Sequence, residues 1–417
     1  MNTSDDSALL SALRTSAERE LKDHILPYWA TAAVDEHNGG FVGRIDGLGV
    51  LDPSASKGAV LNARILWTFS AAARFLDEPR YRLLADRAFA YVTNHFWDNS
   101  NGGVYWMLSS HGDVVNAKKQ TYAQAFAIYG FAEYHRATRS REALDRAVEL
   151  FEILETRASD RPRPGYLDAF NREWVLLPSE PLSERDMPAA KSANTHLHLL
   201  EAYSALFRVW PSAQLRERQT ELIGLFLDQI IDPDSHHMGE AFDERWIPLA
   251  EITSFGHDIE AAWLLTEAAE LVGDPAVDRA ARDMAVTLAE VTLLEGVDGD
   301  AGLMNQAVDG ILSDTDKHWW VQAEAVVGFL NAFDITGDSR FLRAASSIWG
   351  YAQSRLVDRT HGEWHLRVSR DGEPYVTDDK VGPWKCPYHA ARACMEVMSR
   401  VDRLTPEAET GRYGLSA

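Results

Sequence analysis

Residues 256–271 read GHDIEAAWLLTEAAEL, a helical segment that is apolar on nearly every side. Residues 61–75, LNARILWTFSAAARF, have the same character. A helix that is apolar nearly all round lies inside a protein, whereas an amphipathic helix such as EALDRAVELFEILE at 142–155 faces solvent on one side. The chain therefore alternates buried helices with solvent-facing ones.

This alternation belongs to a unit of roughly 60–75 residues that occurs six times. Each unit contains a helix, a polar connection in which Gly stands near an apolar residue, and a second, more apolar helix. Two-helix units cannot bury their apolar faces without neighbours, so we expect a single domain over 1–417, with an ordered core of about 7–403. The marker positions are Gly40-Phe41, Gly103-Val104, Gly165-Tyr166, Met238-Gly239, Gly302-Leu303 and Gly362 with Trp364.

Six inner helices ringed by six outer helices make an all-α protein, an (α/α)6 barrel of twelve helices. A linear solenoid is the alternative, but inner helices this apolar, with polar residues at one end only, favour a closed ring. Apolar spacing and stop signals predict the inner helices at 56–77, 120–138, 187–210, 252–272, 317–336 and 383–403. The outer helices are predicted at 7–30, 79–97, 140–158, 212–231, 274–293 and 339–357.

The connections between the helices are of two kinds. Short turns such as GDP at 273–275 consist of typical turn residues. The connections that lead into the inner helices are much longer, and DEHNGGFVGRIDG at 35–47 and DRTHGEWHLRVSRDGEP at 358–374 predict short β-hairpins. Because loops on a rigid scaffold usually carry function, we expect the functional site at the long-loop mouth of the barrel.

Bulk properties exclude several classes of partner. The net charge of −22 disfavours binding to nucleic acid and to anionic membranes, whose phosphates it repels. No run of 18 or more apolar residues is present, so no membrane span is expected. The polar N-terminus lacks the features of a signal peptide, and Cys386 and Cys394 are too far apart on one helix for a disulfide. We therefore expect a cytoplasmic protein that is a monomer or a weak homodimer.

Polar residues recur at the starts of the apolar inner helices, where they indicate a shared cavity. Histidine is the side chain best matched to proton transfer near pH 7, and three histidines on three inner helices favour an acid/base site. In the unit that lacks such a histidine, two tryptophans and Glu324 occupy the equivalent place. The recurring residues of the other units are Arg64, Tyr122, His198, His257 and His389.

Glu260 lies one helical turn after His257, so its carboxylate could orient the imidazole or act as an ordinary capping or salt-bridging group. The same pair, with His196 and His198, offers side chains of the types that bind metals. However, a di-iron site needs two Glu/His motifs and further glutamates, and zinc motifs of HExxH or CxxC spacing are absent. Nucleotide-binding and acyl-enzyme motifs are absent as well. We expect neither a metal nor another cofactor.

The tryptophans indicate a carbohydrate site. Thirteen are present, and most of them are expected to pack in the core. Trp319, Trp320 and Trp384 lie near the starts of inner helices, where an indole face can stack on the apolar face of a sugar ring. Trp106 and Trp364 belong to the predicted hairpins at the mouth. A small-molecule sugar is therefore the expected substrate.

Six stretches carry a family resemblance: ILPYWATAAVDEHNGGFVGRID (25–46), NARILWTFSAAAR (62–74), NTHLHLLEAY (194–203), SFGHDIEAAWLL (254–265), KHWWVQAEAVVGF (317–329) and WKCPYHAARACMEV (384–397). They resemble the N-acylglucosamine 2-epimerase superfamily, and within it the cellobiose 2-epimerases. The last three stretches are similar to the disaccharide-epimerase branch in particular. The resemblance spans almost the whole chain.

This resemblance implies an (α/α)6 barrel and a cofactor-independent epimerase. The implied reaction interconverts the glucose and mannose configurations at C2 of the reducing end of β-1,4-linked disaccharides, through ring opening and a cis-enediolate. His257 and His389 would be the acid and base. The other implied roles are stabilisation of the intermediate or ring opening by His198, contact with the sugar oxygens by Arg64, assistance by Tyr122 and Asn194, support of His257 by Glu260, and stacking by Trp320 and Trp384.

Other functions are also compatible with the sequence. A mannose-type aldose–ketose isomerase shares the enediolate but returns the proton to C1, and a monosaccharide 2-epimerase differs only in substrate. A glycoside hydrolase on the same fold needs two carboxylates across the glycosidic bond, for which Asp258 and Glu324 are the best pair. A non-catalytic sugar-binding or renin-binding-type protein has no use for three histidines in phase.

Overall fold

The computed structural model, which describes residues 3–178, 180–183 and 187–405, contains twelve helices in two concentric layers. The outer helices are α1 (Thr3–Glu20, a π-helical turn at Leu21–Ile25, and Leu26–Thr31), α3 (Pro79–Tyr91), α5 (Arg141–Arg157), α7 (Ala213–Leu225), α9 (Pro275–Val291) and α11 (Ser339–Tyr351). The inner helices are α2 (Ala59–Leu76), α4 (Thr121–Thr138), α6 (Ala193–Phe207), α8 (Phe255–Val272), α10 (Trp319–Thr336) and α12 (Tyr388–Leu404).

The two layers differ in burial as the sequence predicts. Every residue from 59 to 72 of α2 is buried. In α9 only one face is buried, at Ala281, Ala285, Leu288 and Ala289, a spacing that fits a helix lying on a core. The predicted inner and outer layers are therefore confirmed. Among the helices described, none combines the length and the apolar character that crossing a lipid bilayer requires.

The inner helices form a closed ring. Each contacts the next, and α12 contacts both α10 and α2. The outer helix α1 packs against α11 and α12, where Arg14 Nε donates to Asp402 at 2.5 Å and Trp349 Nε1 donates to Ser16 Oγ at 2.9 Å. These contacts join the first unit to the last. The predicted (α/α)6 barrel is confirmed, and the solenoid alternative is wrong.

All six inner helices begin later than predicted, by one to six residues, and the largest shifts are in α6 and α12. Helix α6 begins at Ala193 rather than near 187, because residues 191 and 192 pair as a strand and the Ser192 hydroxyl caps the helix by accepting from Thr195 N at 3.2 Å. Helix α12 begins at Tyr388 rather than near 383. Pro387 disfavours helical geometry in the residue before it, so the helix starts only after this proline.

Short strands link neighbouring units at the mouth of the barrel. Hairpins form within two long loops, between β2 and β3 and between β9 and β10, and isolated bridges such as Val34–Phe41 form in others. Within the segments 35–47 and 358–374, where the sequence predicts hairpins, the structure has isolated bridges such as Val368–Pro374 rather than two strands paired with each other. The strand before each of five inner helices pairs with the long loop of the next unit. These antiparallel pairs are β1 (Lys57–Gly58) with β2 (Met107–Leu108), β4 (Lys119–Gln120) with β5 (Ala169–Phe170), β6 (Lys191–Ser192) with β7 (Ala241–Phe242), β8 (Ile252–Ser254) with β9 (Gln306–Val308), and β11 (Lys317–His318) with β12 (Arg367–Val368). The two remaining strands, β3 (Val114–Asn116) and β10 (Ile311–Asp314), complete the two hairpins.

A bridge between Ile45 and Val381 joins the loops of the first and last units. It lies where a sixth inter-unit strand pair would be expected. The long loops are therefore connected to one another all the way round the mouth.

A buried lysine recurs at the mouth and pairs with the Asp that opens a long loop. Lys119 and Asp98 are both 0% exposed, and their charged atoms lie 3.2 Å apart. The other four pairs have N···O distances of 2.7–2.9 Å: Lys57–Asp35, Lys191–Asp160, Lys317–Asp298 and Lys380–Asp358. Each pair neutralises a lysine that would otherwise be buried with an unpaired charge.

In the fourth unit a histidine at the mouth lies between two carboxylates. His237 Nδ1 lies 2.7 Å from Asp258, and Nε2 lies 3.2 Å from Glu295. Burial alone would lower the pKa of His237, but the two carboxylates raise it to about 9. His237, for which the sequence predicts no role, is therefore a charged structural residue at neutral pH.

Lys57→Met should destabilise the protein by about 3 kcal/mol, because it leaves the Asp35 carboxylate buried without its ammonium partner. Arg141→Met is the matched control, since the guanidinium of Arg141 is 81% exposed in its pair with Asp145 and should contribute less than about 0.5 kcal/mol. Urea-unfolding curves at neutral pH measure both changes. Equal losses for the two variants would contradict a structural role of the buried pairs.

Candidate active site

The predicted site residues lie in the first two turns of the inner helices, or just before α12 in the case of Trp384, at the mouth that the long loops surround. On one side of this mouth, Arg64 Nη2 of α2 donates to the Tyr122 hydroxyl of α4 at 2.8 Å. The ring of Tyr122 contacts the imidazole of His198 on α6 edge-on, with centroids 5.1 Å apart. All three side chains are buried. Three of the six units thus contribute to one cluster.

On the other side, Trp320 lies between two of the predicted catalytic histidines. Its ring centroid is 5.0 Å from that of His257 and 5.7 Å from that of His389. Tyr388 connects the two sides, since its ring is 4.6 Å from His389 and 6.4 Å from His198. The structure therefore brings the three predicted histidines into one site.

Each of the three histidines has its Nδ1 atom on a carboxylate. The distances are 3.0 Å from His198 to Glu201, 2.9 Å from His257 to Glu240 and 2.6 Å from His389 to Glu324. In a neutral imidazole, an Nδ1–H that donates to a carboxylate leaves the lone pair on Nε2. The arrangement fixes both the tautomer and the orientation of each ring, and it makes Nε2 the atom that can exchange a proton with a ligand.

Burial keeps two of these imidazoles neutral. It lowers the pKa of His198 to about 4, against the opposing effect of Glu201. It also lowers the pKa of His389 well below the ordinary 6.5, and the positive charges of Arg64 and Arg392 act in the same direction. At neutral pH both rings are therefore able to accept a proton.

Beneath the histidines lies a buried charge cluster centred on Arg392. Its Nη2 donates to Glu260 at 2.6 Å and to Glu324 at 2.7 Å, and its Nη1 donates to Glu201 and to the hydroxyl of Tyr388. The three carboxylates come from α6, α8 and α10, and the guanidinium comes from α12. We refer to Arg392 with these three glutamates as the Arg392 cluster.

Glu260 does not hold the imidazole that it was expected to orient. Its Oε1 accepts from Arg392, whereas the carboxylate on Nδ1 of His257 is that of Glu240. Arg392 attracts Glu260 more strongly than His257 does, because a guanidinium always carries a full charge and offers several donors. Among the described residues, Oε2 of Glu260 has no hydrogen-bond partner although it is buried. Burial, and then the charge of Glu324, raise the pKa of Glu260.

The predicted aromatic residues divide into two groups. Trp384 is partly exposed and contacts Tyr122 and Trp106, with centroids 5.7 and 6.0 Å apart, so its indole can meet a ligand at the mouth. Trp319 is buried, edge-on to His389 at 6.2 Å and under the ammonium of Lys385 at 5.1 Å. Its position favours support of His389 rather than the predicted contact with substrate.

Asn194 lies in the first turn of α6, at the mouth. Its Oδ1 is buried and has no hydrogen-bond partner among the described residues. A buried polar atom without a partner is costly, and a ligand hydroxyl would satisfy it. This placement fits the binding role that the resemblance implies.

Glu260, Glu324 and His389 offer ligand atoms that lie within 4.8 Å of one another, a spacing that a metal ion could use. Arg392 Nη2 already donates to both carboxylates, and Nδ1 of His389 is already bonded to Glu324. Each of these carboxylates is thus already bound by a protein cation, although one guanidinium cannot neutralise both, and burial raises the pKa of each. The donor set favours acid/base chemistry by the side chains themselves.

Three residues of the site are absent from the sequence-based prediction. Glu201 and Arg392 each follow a site histidine by three residues, as Glu260 follows His257, so charged residues one turn further along the buried helices were a usable signal. Glu240 had no such signal. It lies in a loop, 17 residues before His257, and only the folded chain brings the two side chains together.

Known proteins resemble this chain over almost its whole length. The sequence profile of the N-acylglucosamine 2-epimerase (GlcNAc 2-epimerase) family matches residues 39–393. The chain is 45% identical to the cellobiose 2-epimerase of Bacteroides fragilis over 93% of its length and 98% of that protein, and 38% identical to that of Ruminococcus albus over 92% and 97%.

Solved structures show the same fold. The cellobiose 2-epimerase of Bacillus thermoamylovorans superposes with a TM-score of 0.90 at 39% identity, covering 94% of this chain and all of that one. A D-mannose isomerase superposes with a TM-score of 0.80, covering 92% of this chain and 97% of that one, but at 20% identity it supports the fold alone.

Glu260→Gln should change how stability depends on pH. The pKa of Glu260 is raised above its ordinary 4.5 in the folded protein, so folding binds a proton. The stability that this carboxyl group contributes is therefore full below its unfolded-state pKa and is lost as the pH rises through its folded-state pKa. Gln stays neutral at every pH, so we expect the variant to match wild type at about pH 5 and to exceed it at about pH 9.

Urea-unfolding midpoints across this pH range measure the effect. Glu149→Gln, at a 46% exposed carboxylate of α5, is the control and should show no such trend. A difference between Glu260→Gln and wild type that is constant with pH would contradict the raised pKa.

Proposed function

The chain belongs to the N-acylglucosamine 2-epimerase family, and we propose that it is a cofactor-independent sugar 2-epimerase. The proposed reaction interconverts the glucose and mannose configurations at C2 of the reducing-end residue of β-1,4-linked disaccharides such as cellobiose, lactose and mannobiose. The observation that carries this proposal is the pair His257 and His389 against one indole, that of Trp320, each with its Nδ1 on a carboxylate.

The chemistry requires two proton-transfer groups. Once the sugar ring opens, the C1 carbonyl makes the C2 hydrogen acidic, and a base removes it to give a cis-enediolate. Return of a proton to the opposite face of C2 inverts the centre. Two imidazoles, each oriented by a carboxylate on Nδ1, would supply these steps through Nε2, and each positioned acid or base contributes about 10²–10⁴-fold in rate. Trp320, between His257 and His389, is placed to hold the sugar.

The cluster on the other side of the mouth suits the developing negative charge. Arg64 is buried, and its Nε has no hydrogen-bond partner among the described residues. A buried guanidinium near the C1 and C2 oxygens would stabilise the enediolate, and donors of this kind contribute about 10²–10³-fold each. We propose that Tyr122 and Asn194 assist in binding, and that His198 takes part in ring opening or in stabilising the intermediate.

A disaccharide is the favoured substrate. The relatives at 35–45% identity that span most of the chain carry the name cellobiose 2-epimerase, whereas the D-mannose isomerases among the relatives are only 22–25% identical. Trp384 and Trp106 form an aromatic surface at the mouth on which a second sugar ring could rest. We propose that the whole chain, as a single domain, performs this reaction.

The two carboxylates that best suited the hydrolase alternative, those of Asp258 and Glu324, are engaged in structural contacts. Asp258 is fully buried and binds His237 and the backbone N–H of Met238. Glu324 is engaged by Arg392, His389 and Trp263. Two carboxylates that already serve as structural acceptors are poorly suited to act on a glycosidic bond.

Incubation with cellobiose in deuterated water, with EDTA present, tests the reaction. We expect a disaccharide with mannose at its reducing end, carrying deuterium at C2, because the abstracted proton exchanges with solvent. NMR of the products reads the position of the label, and lactose and mannose are run in parallel. A ketose labelled at C1 would instead indicate an isomerase, and free glucose from cellobiose a hydrolase; either result would overturn the proposal.

His257→Ala and His389→Ala should each lower kcat by at least about 10²-fold, because each removes one proton-transfer group. Circular dichroism is expected to show an unchanged helical fold. His135→Ala is the control, since His135 binds the Ser140 carbonyl in the last turn of α4, at the opposite end of the inner helices. Near-normal turnover by either site variant would exclude a mechanism with two histidines.

A further inference from the structure

Glu240 differs from the other site carboxylates in where it comes from. It lies in a long loop, between the marker Gly239 and strand β7, rather than on an inner helix. Its backbone carbonyl accepts from Ala193 N, the first residue of α6, at 3.0 Å. Its carboxylate oxygens lie 3.0 and 2.9 Å from Nδ1 of His257 on α8. This single loop residue therefore joins two adjacent inner helices at the mouth.

In the described part of the chain, the carboxylate of Glu240 bonds to its histidine alone, whereas the carboxylates of the other two site histidines have a second charged partner. Glu201 and Glu324, on His198 and His389, both share their charge with Arg392. Among the described residues, the Glu240 carboxylate has no hydrogen-bonded or ion-paired partner besides His257. Its negative charge is thus available to that imidazole alone.

The surroundings of His257 differ accordingly from those of His389. His257 and Glu240 are 14% and 17% exposed, whereas His389 and Glu324 are 5% and 1% exposed. Among the described residues, the groups that interact with His257 include Trp320 from α10 and Glu260 from its own helix, and Glu260 accepts from Arg392 of α12. An ionised carboxylate on Nδ1 stabilises the protonated imidazole, so His257 should hold its proton more readily than His389.

We infer that Glu240 is a positioning residue that fixes the tautomer of His257 and makes the two acid/base histidines unequal, with His257 the more basic. This inference rests on the proposed function. In the free enzyme His389 is then the ready proton acceptor, and His257 the group that more often carries the proton. The loop that holds Glu240, and not the inner-helix scaffold alone, sets this difference.

Glu240→Gln tests the inference, because the amide keeps the size of the side chain but not its charge. We expect kcat to fall about ten- to a hundredfold with little change in KM. The alkaline limb of the pH profile of kcat/KM should move by about one pH unit to lower pH, because His257, the group that carries the proton, loses it more readily without the Glu240 charge. Glu240→Asp should recover part of the activity and of the profile, since it restores the charge.

Glu295→Gln is the matched control. Glu295 also places a carboxylate on a histidine, 3.2 Å from Nε2 of His237, but this histidine belongs to the structural pair with Asp258. The control should leave both kcat and the pH profile unchanged. A Glu240→Gln variant with a wild-type pH profile would overturn the inference, whether or not its kcat had fallen.

A measurement without turnover separates this inference from the proposed function. In protein labelled with ¹⁵N-histidine, the Nε2 and Nδ1 shifts of His257, assigned from the His257→Ala variant, report its titration directly. We expect the titration of His257 at lower pH in Glu240→Gln than in wild type. If the two proteins titrate differently in this way but the wild type epimerises no sugar, the proposed function fails and the coupling between Glu240 and His257 stands. If the wild type epimerises a sugar and the two titrations coincide, only the inference fails.

Discussion

The barrel depends on one buried guanidinium. Arg392 is 2% exposed and donates to glutamates on three other inner helices, α6, α8 and α10. Taking such a charge out of water costs several kcal/mol per ion, and only close opposite charges with further hydrogen bonds offset this cost. The four helices must therefore keep one register, because a shift of a single turn along any of them would leave a buried charge unpaired.

The same cluster also orients two of the site histidines. Glu201 and Glu324 bind Arg392 and also accept from His198 and His389. The orientation of two imidazoles is thus a by-product of the interaction that aligns the helices. His257 is the exception, since its carboxylate comes from a loop. The site combines two rings held by the scaffold with one held by a connection between units.

How much the sequence reveals depends on how local the cause is. The inner helices are predictable because burial on all sides leaves few charged residues along segments such as 256–271, and the mouth histidines are predictable from their recurrence on those helices. The start of α6 is not, because it depends on strand pairing with another unit. Glu240 is not, because its role depends on a contact between a loop and a helix 17 residues away. Burial along the helices was therefore predictable, and contacts between a loop and another unit were not. Glu201 and Arg392 had a signal on their own helices and were overlooked.

The linked strands at the mouth act as a hoop. Each long loop is tied to the units before and after it, and the bridge from Ile45 to Val381 completes the circuit. Among the described residues, moving any one long loop outward would break strand pairs or bridges on both of its sides. These pairs hold the outline of the mouth before a ligand arrives, so binding should cost little ordering entropy in this part of the structure.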